Sequence, residues 1–496
     1  MAEFKVILRD YAMMYVDCEP GFAIELSEYF SFFVPGYKFM PAYKNKVWDG
    51  KIKLFNRING ELNAGLFYYL IKFCSERGYS CDTEEHPDYG LPLIKNDISD
   101  YDEWIDKEIK TSLPFTPRDY QNDAVKVALE RSRAILLSPT GSGKSYIIYI
   151  AMKYYLQQLE DTSRILIIVP TTSLVEQMYS DFKDYGMNVE SACHRIYSGK
   201  DKVTRKPVII STWQSIYKYP KKWFEQFGMV IGDECHGFKS KSLSSIMNKA
   251  TKAKYRFGCT GTLDGTTTHK LVLEGLFGPV YNVTSTKKLQ DDSTLAPLDI
   301  KVLLLNYSEE IRKEFGKKTY QDEIEFIIGN NVRNRLISNL AVSASGNTLV
   351  LFNRVESHGK PLYELINSKV KEGRKVFYVS GEVVTSDREA IRKIVEKQKD
   401  AIIVASLGTF STGINIKNLH NIVFASPSKS QIKVLQSIGR GLRQSDDGRT
   451  TTLYDITDDL HWKDRKNYTL LHGAARLKIY RQEQFNYKVI KVDINE

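Results

Sequence analysis

No stretch of this chain approaches the roughly 20 consecutive apolar residues that a membrane-spanning helix needs, so no membrane segment is expected. Cysteine is scarce. The six present, Cys18, Cys74, Cys81, Cys193, Cys235 and Cys259, never fall in C-x-x-C spacing, which argues against a structural zinc site and a disulfide framework. A reducing, cytoplasmic setting is the expectation that follows. The opening Met1-Ala-Glu-Phe-Lys5 lacks the basic head and long apolar core of a signal peptide. Low-complexity tracts and short-period repeats are missing too. Nor does one sign of charge dominate: 70 Lys and Arg face 60 Asp and Glu, and the net +10 hints only modestly at a polyanionic partner. The remainder, 42% hydrophobic and 26% charged, is the composition of an ordinary globular protein.

A chain of 496 residues is too long for one core, and two to four domains are expected. Residues 1–96 mix short strand-like runs at 4–8 and 51–55 with aromatics and helical patterns at 20–33 and 65–77. The acidic stretch 97–114 reads as a linker or a short helix. Across 115–285, apolar runs at 135–137, 165–169, 208–210, 229–231 and 256–259 alternate with amphipathic helical patterns. A second series fills 286–460, with strand candidates at 349–352, 376–379, 401–405, 422–425 and 453–456. Residues 461–496 read as a short, basic and aromatic helical element. Strands spaced by helices imply parallel sheets covered on both faces. The fold class is therefore α/β, with two lobes, a small N-terminal α/β domain and a C-terminal helical element.

The most specific signal is Ser138-Pro-Thr-Gly-Ser-Gly-Lys-Ser145, set between an apolar run and a helical pattern. That context is the one a phosphate-binding loop requires. Gly141 and Gly143 let the backbone curl so that successive N–H groups point at phosphate oxygens, and Pro139, Thr140 and Ser142 join them as nucleotide-binding candidates. Lys144 would reach the β- and γ-phosphates, and the Ser145 hydroxyl would ligate Mg²⁺. Ser138 stands where the stricter pattern has glycine, and an ordinary Gly/Ser loop also fits these residues.

Asp233-Glu-Cys-His236 follows the apolar run Met229-Val-Ile-Gly232. An aspartate at a strand end can hold Mg²⁺, and an adjacent glutamate can orient or deprotonate an attacking water. An acidic turn is the plainer alternative. Cys235 and His236 have no second ligand pair at metal-binding spacing. Further on, Gln436-Ser-Ile-Gly-Arg-Gly-Leu-Arg443 puts Arg440 and Arg443 on one helical face, where guanidinium groups can stabilise a transferred phosphoryl. A solvated basic helix is the alternative there. A phosphate loop, an acidic strand end and a cationic finger together predict nucleoside triphosphate hydrolysis.

In this order the motifs resemble those of superfamily 2 helicases and translocases, over roughly residues 115–460. Arg118-Asp-Tyr-Gln121 resembles the segment in which Arg118 and Gln121 recognise adenine. Pro170-Thr171-Thr172 and Ser211-Thr212-Trp213 resemble motifs that contact nucleic acid. Thr260-Gly-Thr262 resembles the motif linking hydrolysis to lobe movement. Thr409-Phe-Ser-Thr-Gly-Ile-Asn415 resembles a motif that places Thr412 near a nucleic-acid phosphate and Gly413 near nucleotide, although Asn415 replaces a more usual aspartate. The resemblance implies two tandem RecA-like lobes with ATP and Mg²⁺ as cofactors. Lys144, Asp233, Glu234, Gln436, Arg440 and Arg443 would then be catalytic, and Ser145 with Asp233 would hold the metal.

More narrowly, Tyr43-Lys-Asn-Lys-Val-Trp-Asp-Gly-Lys51, Phe227 to His236 and Gln484-Phe-Asn-Tyr487 are similar to the tailed-phage recombination helicases. That resemblance implies ATP-dependent remodelling of branched DNA: branch migration of Holliday junctions, fork regression and R-loop unwinding in recombination, replication and repair. The implied partners are branched or forked DNA, single-stranded DNA, an RNA–DNA hybrid, and recombination or single-strand-binding proteins. A monomer in the host cytoplasm is expected. Two rival readings stay open: the double-stranded DNA translocase of a restriction system, and an ATP-driven RNA remodelling switch. Near the N-terminus, Lys44, Lys46, Lys51 and Lys53 surround Trp48, a composition suited to phosphate contact and base stacking. A solvated hairpin with its aromatics packed inside fits the same residues.

Overall fold

The computed structural model describes residues 2–92, 95–158, 163–197, 203–263, 266–382, 390–391, 394–395, 397–413, 418–426, 430, 438–439 and 450–494. The chain divides into two compact units, 1–138 with 143–283, and 284–496 with 139–142.

In the first unit, period-two alternation builds a small N-terminal sheet. Phe4, Val6 and Leu8 of the strand Phe4–Leu8 point inward, and Lys5 points out. Met13–Cys18 and Glu61–Asn63 continue this sheet antiparallel on one side, while Cys81–Glu84 pairs parallel on the other. The helices Pro20–Tyr29 and Phe67–Arg77 supply Leu26, Leu70 and Phe73 to its core. Proline in the first turn opens one helix, and Gly78 at φ +71° closes the other. A two-stranded ribbon, Ser31–Phe33 with Lys51–Lys53, carries the basic and aromatic segment.

This domain is docked on the helix Thr267–Phe277 of the larger sheet domain. Leu271 completes the N-terminal core, Tyr69 donates to Glu274 Oε2 at 2.7 Å, and Asn63 Nδ2 donates to Asn248 Oδ1 at 3.1 Å. Gly65 lies so close to the Glu274 carbonyl that a Cβ there would collide with it. Of the two readings of 97–114, the helical one is what forms: Tyr101–Trp104 continues into Ile105–Lys110. Its buried face packs on the helix Lys144–Gln158, where Tyr154 donates to Asp100 at 2.6 Å and Trp104 to Gln157 at 3.1 Å.

The larger sheet of this unit has seven parallel strands. In spatial order they are Val280–Asn282, Arg133–Leu137, Tyr255–Thr260, Phe227–Asp233, Arg164–Val169, Val208–Thr212 and Cys193–Ile196. The five inner strands are almost wholly buried, which is why they read as continuous apolar runs. Cys193–Ile196 and Val280–Asn282, short and more polar, gave no such signal.

The second unit repeats the plan with Val376–Val379, Ile402–Ser406, Thr348–Phe352, Asn421–Phe424, Thr451–Asp459, Leu298–Asn306 and Tyr487–Asp493, all parallel. The helix expected near the end of the chain forms as Tyr468–Gln482, and it is followed by a strand that was not expected. Tyr487–Asp493 joins the sheet edge beside Leu298–Asn306. Its lysines and exposed Val489 and Ile490 are the pattern of an edge strand, which carries little apolar periodicity. Two buried ion pairs brace this unit: Arg333 with Asp458 at 2.7 Å, and Arg476 with Asp455 at 2.6 Å. Such pairs fix register more than they add stability, because each charge loses its water.

Gly65→Ala should loosen the N-terminal domain, since the colliding atom is backbone and cannot swing away. Overpacking of this kind costs about 1–3 kcal/mol. Limited proteolysis should release the N-terminal domain faster than from the parent protein; equal protection would show that the seam accommodates a methyl group.

Candidate active site and nucleic-acid surface

Five neighbouring parallel strands of the first unit end at one edge, and the residues singled out in the sequence cluster at their carboxyl ends. Ser138 follows Arg133–Leu137, Thr260 ends Tyr255–Thr260, and Asp233 ends Phe227–Asp233. Pro170 follows Arg164–Val169, and Thr212 ends Val208–Thr212. Ligands of open α/β sheets bind at such an edge.

The loop after the first of these strands takes the curl its sequence implies. Gly141 and Gly143 have φ of +89° and +80°, a region in which side chains are strained. Ser142 spends its hydroxyl inside the loop, donating to Pro139 O at 2.6 Å. Lys144 begins the helix Lys144–Gln158. Gln121 Oε1 accepts from the Arg118 amide at 2.9 Å, capping the helix Asp119–Arg131. Its amide nitrogen lies directly against Gly143, so any side chain there would strike it. The adenine-recognition candidate and the phosphate loop are thus in contact through a glycine. Arg118 reaches Tyr120 OH at 2.9 Å.

Lys144 Nζ pairs with Glu234 Oε1 at 2.9 Å. Burial disfavours both charges, but mutual attraction outweighs it: Lys144 is held above its usual range and Glu234 well below the carboxylate range. Glu234 is a left-handed residue at φ +49°, strain that a non-glycine residue keeps only where its surroundings impose it. Its second oxygen, Oε2, lies 3.4 Å from His236 Nδ1 and 3.5 Å from the Thr260 hydroxyl. Thr260 in turn donates to the Thr262 carbonyl at 3.0 Å. Sequence reasoning treated His236 as a weak metal ligand and Thr260-Gly-Thr262 as a separate motif. The structure joins them through one glutamate.

Asp233 differs from its neighbour. Burial pushes its carboxyl up to about 6 despite Lys144 nearby, and Oδ1 has no hydrogen-bond partner among the described residues. An orphaned, buried carboxylate oxygen is a hard donor of the kind that suits Mg²⁺. Ser145 Oγ lies 2.8 Å from Tyr185 OH, a partner that the sequence did not suggest. Tyr185 packs against Tyr146 and half-exposed Phe115. Only the position of Phe115, three residues before Arg118, could have marked it.

On the nucleic-acid side the two candidate segments touch: Gln214 Nε2 donates to Pro170 O at 3.4 Å. Thr171 caps the helix Thr172–Asp184 by accepting from Leu174 N. Ser211 must be corrected. It is fully buried and its hydroxyl lies 3.0 Å from both the Ile196 and the Thr212 carbonyls, so its side chain braces the strand end. Thr212 is similarly occupied with Ser215 at 2.9 Å, which leaves Trp213 and Gln214 as the accessible groups. In the second unit only the backbone of Thr412 and Gly413 is described, in the helix Leu407–Gly413. Gln436, Arg440 and Arg443 lie outside the described residues.

In the N-terminal domain, Lys44 and Lys46 are exposed at the mouth of an open cleft of about 560 Å³ that Trp48 also lines. Lys51 lies over the Phe33 ring at 5.0 Å, and Lys53 pairs with Asp49 at 2.9 Å. The Trp48 indole N–H donates to the Lys51 carbonyl at 2.8 Å. Trp48 is therefore tied into the ribbon and offers only part of its ring.

Among the described residues no helix is long and apolar enough to cross a membrane. Three family models match the chain: "DNA helicase UvsW, N-terminal" over 3–83, "Type III restriction enzyme, res subunit" over 114–265, and "Helicase conserved C-terminal domain" over 331–445. The ATP-dependent DNA helicase uvsW of Enterobacteria phage T4 is 38% identical, over 99% of this chain and 100% of the relative. The DNA 3'-5' translocase XPB2 of Sulfurisphaera tokodaii is 25% identical, over 69% of this chain and 83% of the relative. The crystal structure of T4 UvsW superposes with a TM-score of 0.50 at 35% identity, over 99% of this chain and 100% of that one.

Asp233→Asn tests the buried carboxylate. A carboxyl raised from 3.8 to about 6 by folding is at its most stabilising below pH 3.8, and that contribution is lost as the pH rises through 6. The nucleotide-free Asn variant should therefore melt higher than the parent at pH 7.5, with the gap closing towards pH 4, while Mg²⁺-dependent turnover is lost. A lower melting temperature at pH 7.5 would show that the charge is compensated.

Proposed function

The chain belongs to the UvsW family of ATP-dependent DNA helicases, and on that premise we propose that its motor remodels branched DNA, migrating Holliday junctions, regressing forks and unwinding R-loops. The observation that carries the reading is the Lys144–Glu234 pair beside the buried Asp233. An arriving triphosphate competes for Lys144, and the β- and γ-phosphates replace Glu234 as its counter-charge. Glu234, released on that side but still held by His236 and Thr260 on the other, then orients water for in-line attack. The site is thus self-neutralised before ATP binds and poised once it has bound.

Ser145 and Asp233 are the residues that would hold Mg²⁺, which supplies charge neutralisation for the phosphates. Gln121 and Arg118 are proposed to receive the base, with the half-exposed Phe115 beside them in the chain. Arg440 and Arg443 are proposed to stabilise the transferred charge and Gln436 to act with them, with Gly413 near nucleotide and Thr412 near the DNA backbone. Pro170, Thr171, Thr172 and Trp213 are proposed to follow that backbone without reading sequence. The hydrogen-bond chain Glu234–Thr260–Thr262 would report nucleotide state towards the helix Thr267–Phe277. The match of residues 114–265 to a restriction subunit supports a second reading, translocation on duplex DNA without strand separation.

Lys144→Ala and Glu234→Gln should each lower ATP turnover by more than about tenfold, the second while still binding ATP. Strand displacement on a fork, a four-way junction, duplex RNA and an RNA–DNA hybrid separates the readings; preference for an unbranched duplex without displacement would favour the second. Because Lys51 and Lys53 are already engaged, Lys44→Ala with Lys46→Ala should carry the phosphate contacts of the N-terminal ribbon. Its salt slope for branched-DNA binding should fall by roughly two log units per log unit of salt. An unchanged slope would make the ribbon a scaffold.

A further inference from the structure

At the opposite, amino-terminal edge of the larger sheet in the first unit lies a second concentration of charge. Arg133 opens its strand, Arg256 is the second residue of the adjacent parallel one, and the two are direct register partners. Both are buried, at 8% and 1% exposure. Arg256 satisfies its guanidinium on the carbonyls of Ala253, Met247 and Ala250. Arg133 donates through one terminal nitrogen to the Tyr11 carbonyl of the N-terminal domain, while the other, NH1, has no partner among the described residues. No carboxylate lies within ion-pair distance of either arginine among the described residues. Asp10 is the nearby carboxylate that favours the charge of both, but it forms no direct ion pair with either. A buried guanidinium with no carboxylate paired to it is costly, and its planar fork is shaped to grip two oxygens of a phosphate.

Arg133 also lines a cleft of about 240 Å³ at the seam between the N-terminal domain and the larger sheet domain. Arg131 and Lys254 add positive charge to its walls, against Asp88 as the one acidic lining residue, and Tyr11 and Tyr89 form an aromatic side. Those rings meet edge to face at 5.0 Å, and Lys252 sits over Tyr89 at 5.0 Å. The nucleotide loop lies at the far end of the strand Arg133–Leu137, roughly 15 Å away along the sheet.

We propose that this cleft is a second phosphate-binding site, separate from the ATP loop, in which Arg133 grips a phosphate group at the seam between the two domains. Arg131 and Lys254 attract the anion, and the unpartnered Arg133 nitrogen binds it. Because Arg133 also holds the Tyr11 carbonyl, the bound phosphate ties the N-terminal domain to the motor. The phosphate belongs either to the backbone of a DNA arm or to a free phosphate-bearing ligand.

The test uses the full chain with its ATP loop filled by a saturating non-hydrolysable ATP analogue, and inorganic pyrophosphate as the probe, read by calorimetry and thermal shift. The parent should bind pyrophosphate and melt higher with it. Arg131→Ala with Lys254→Ala, both outside the buried core, should weaken binding at least fivefold with an unchanged ligand-free melting temperature. Arg133→Lys, which keeps the charge and loses the fork, should weaken it further. A short duplex that displaces pyrophosphate identifies DNA backbone as the source; pyrophosphate binding unaffected by duplex identifies a free ligand. No binding beyond the filled ATP loop, or equal affinity in the parent and both variants, overturns the proposal.

Discussion

Everything at the carboxyl edge of the first sheet is arranged around one constraint: a lysine ammonium and two adjacent carboxylates, one buried and the others largely shielded, are packed together with little access to water. Lys144 neutralises Glu234, and Asp233 bears the remaining cost by holding its proton more tightly. The backbone answers to the same constraint. Glu234 adopts a left-handed conformation, and this turn sends neighbouring side chains Asp233 and Glu234 to different tasks. Gly143 keeps a side chain out of the space that the Gln121 amide fills. A triphosphate is the natural replacement for a carboxylate in such a place, because it brings more negative charge to the same cation.

The parts of this arrangement legible in the sequence were those whose chemistry is local. The glycine spacing, the lysine that follows it and the acidic pair after an apolar run each state a requirement within a few residues. Most inner strands of both sheets were equally plain, since burial on two faces leaves no polar alternation to interpret; Leu298–Asn306, inner in the second sheet but only half buried along its length, was not read as a strand. What escaped were features set by distant partners. Tyr185 meets Ser145 only because two helices pack. His236 meets Glu234 and Thr260 only because two strands pair in register. Ser211 looked available as a side chain, yet neighbouring strand carbonyls consume its hydroxyl. Edge strands such as Cys193–Ile196 and Tyr487–Asp493 are half polar by necessity and resemble loops when read alone.

The N-terminal domain is held by contacts different in kind from those of the motor core. Its seam includes single hydrogen bonds, one shared leucine and a glycine placed against a carbonyl; the leucine, the glycine's neighbour and the Tyr69 bond lie on the helix Thr267–Phe277, and the Asn63 and Arg133 bonds lie elsewhere. A rigid core transmits displacement rather than absorbing it. The ribbon whose connecting segment bears Lys44 and Lys46 rests on the same N-terminal core through Phe32, and Leu271 of that helix also enters that core.

The strand Leu298–Asn306 lies between two neighbours, Thr451–Asp459 and Tyr487–Asp493, both of which follow it by well over a hundred residues. The bond from Asn306 to Asp493 spans 187 positions. During synthesis this leucine-rich strand emerges long before its two neighbours exist to cover its hydrogen-bonding edges. The first sheet has no comparable debt, since its strands all lie within 133–282. The two halves of the motor thus mature in sequence on the ribosome: the first can close while translation continues, whereas the second must wait for nearly the whole chain, with an adhesive segment exposed in the meantime.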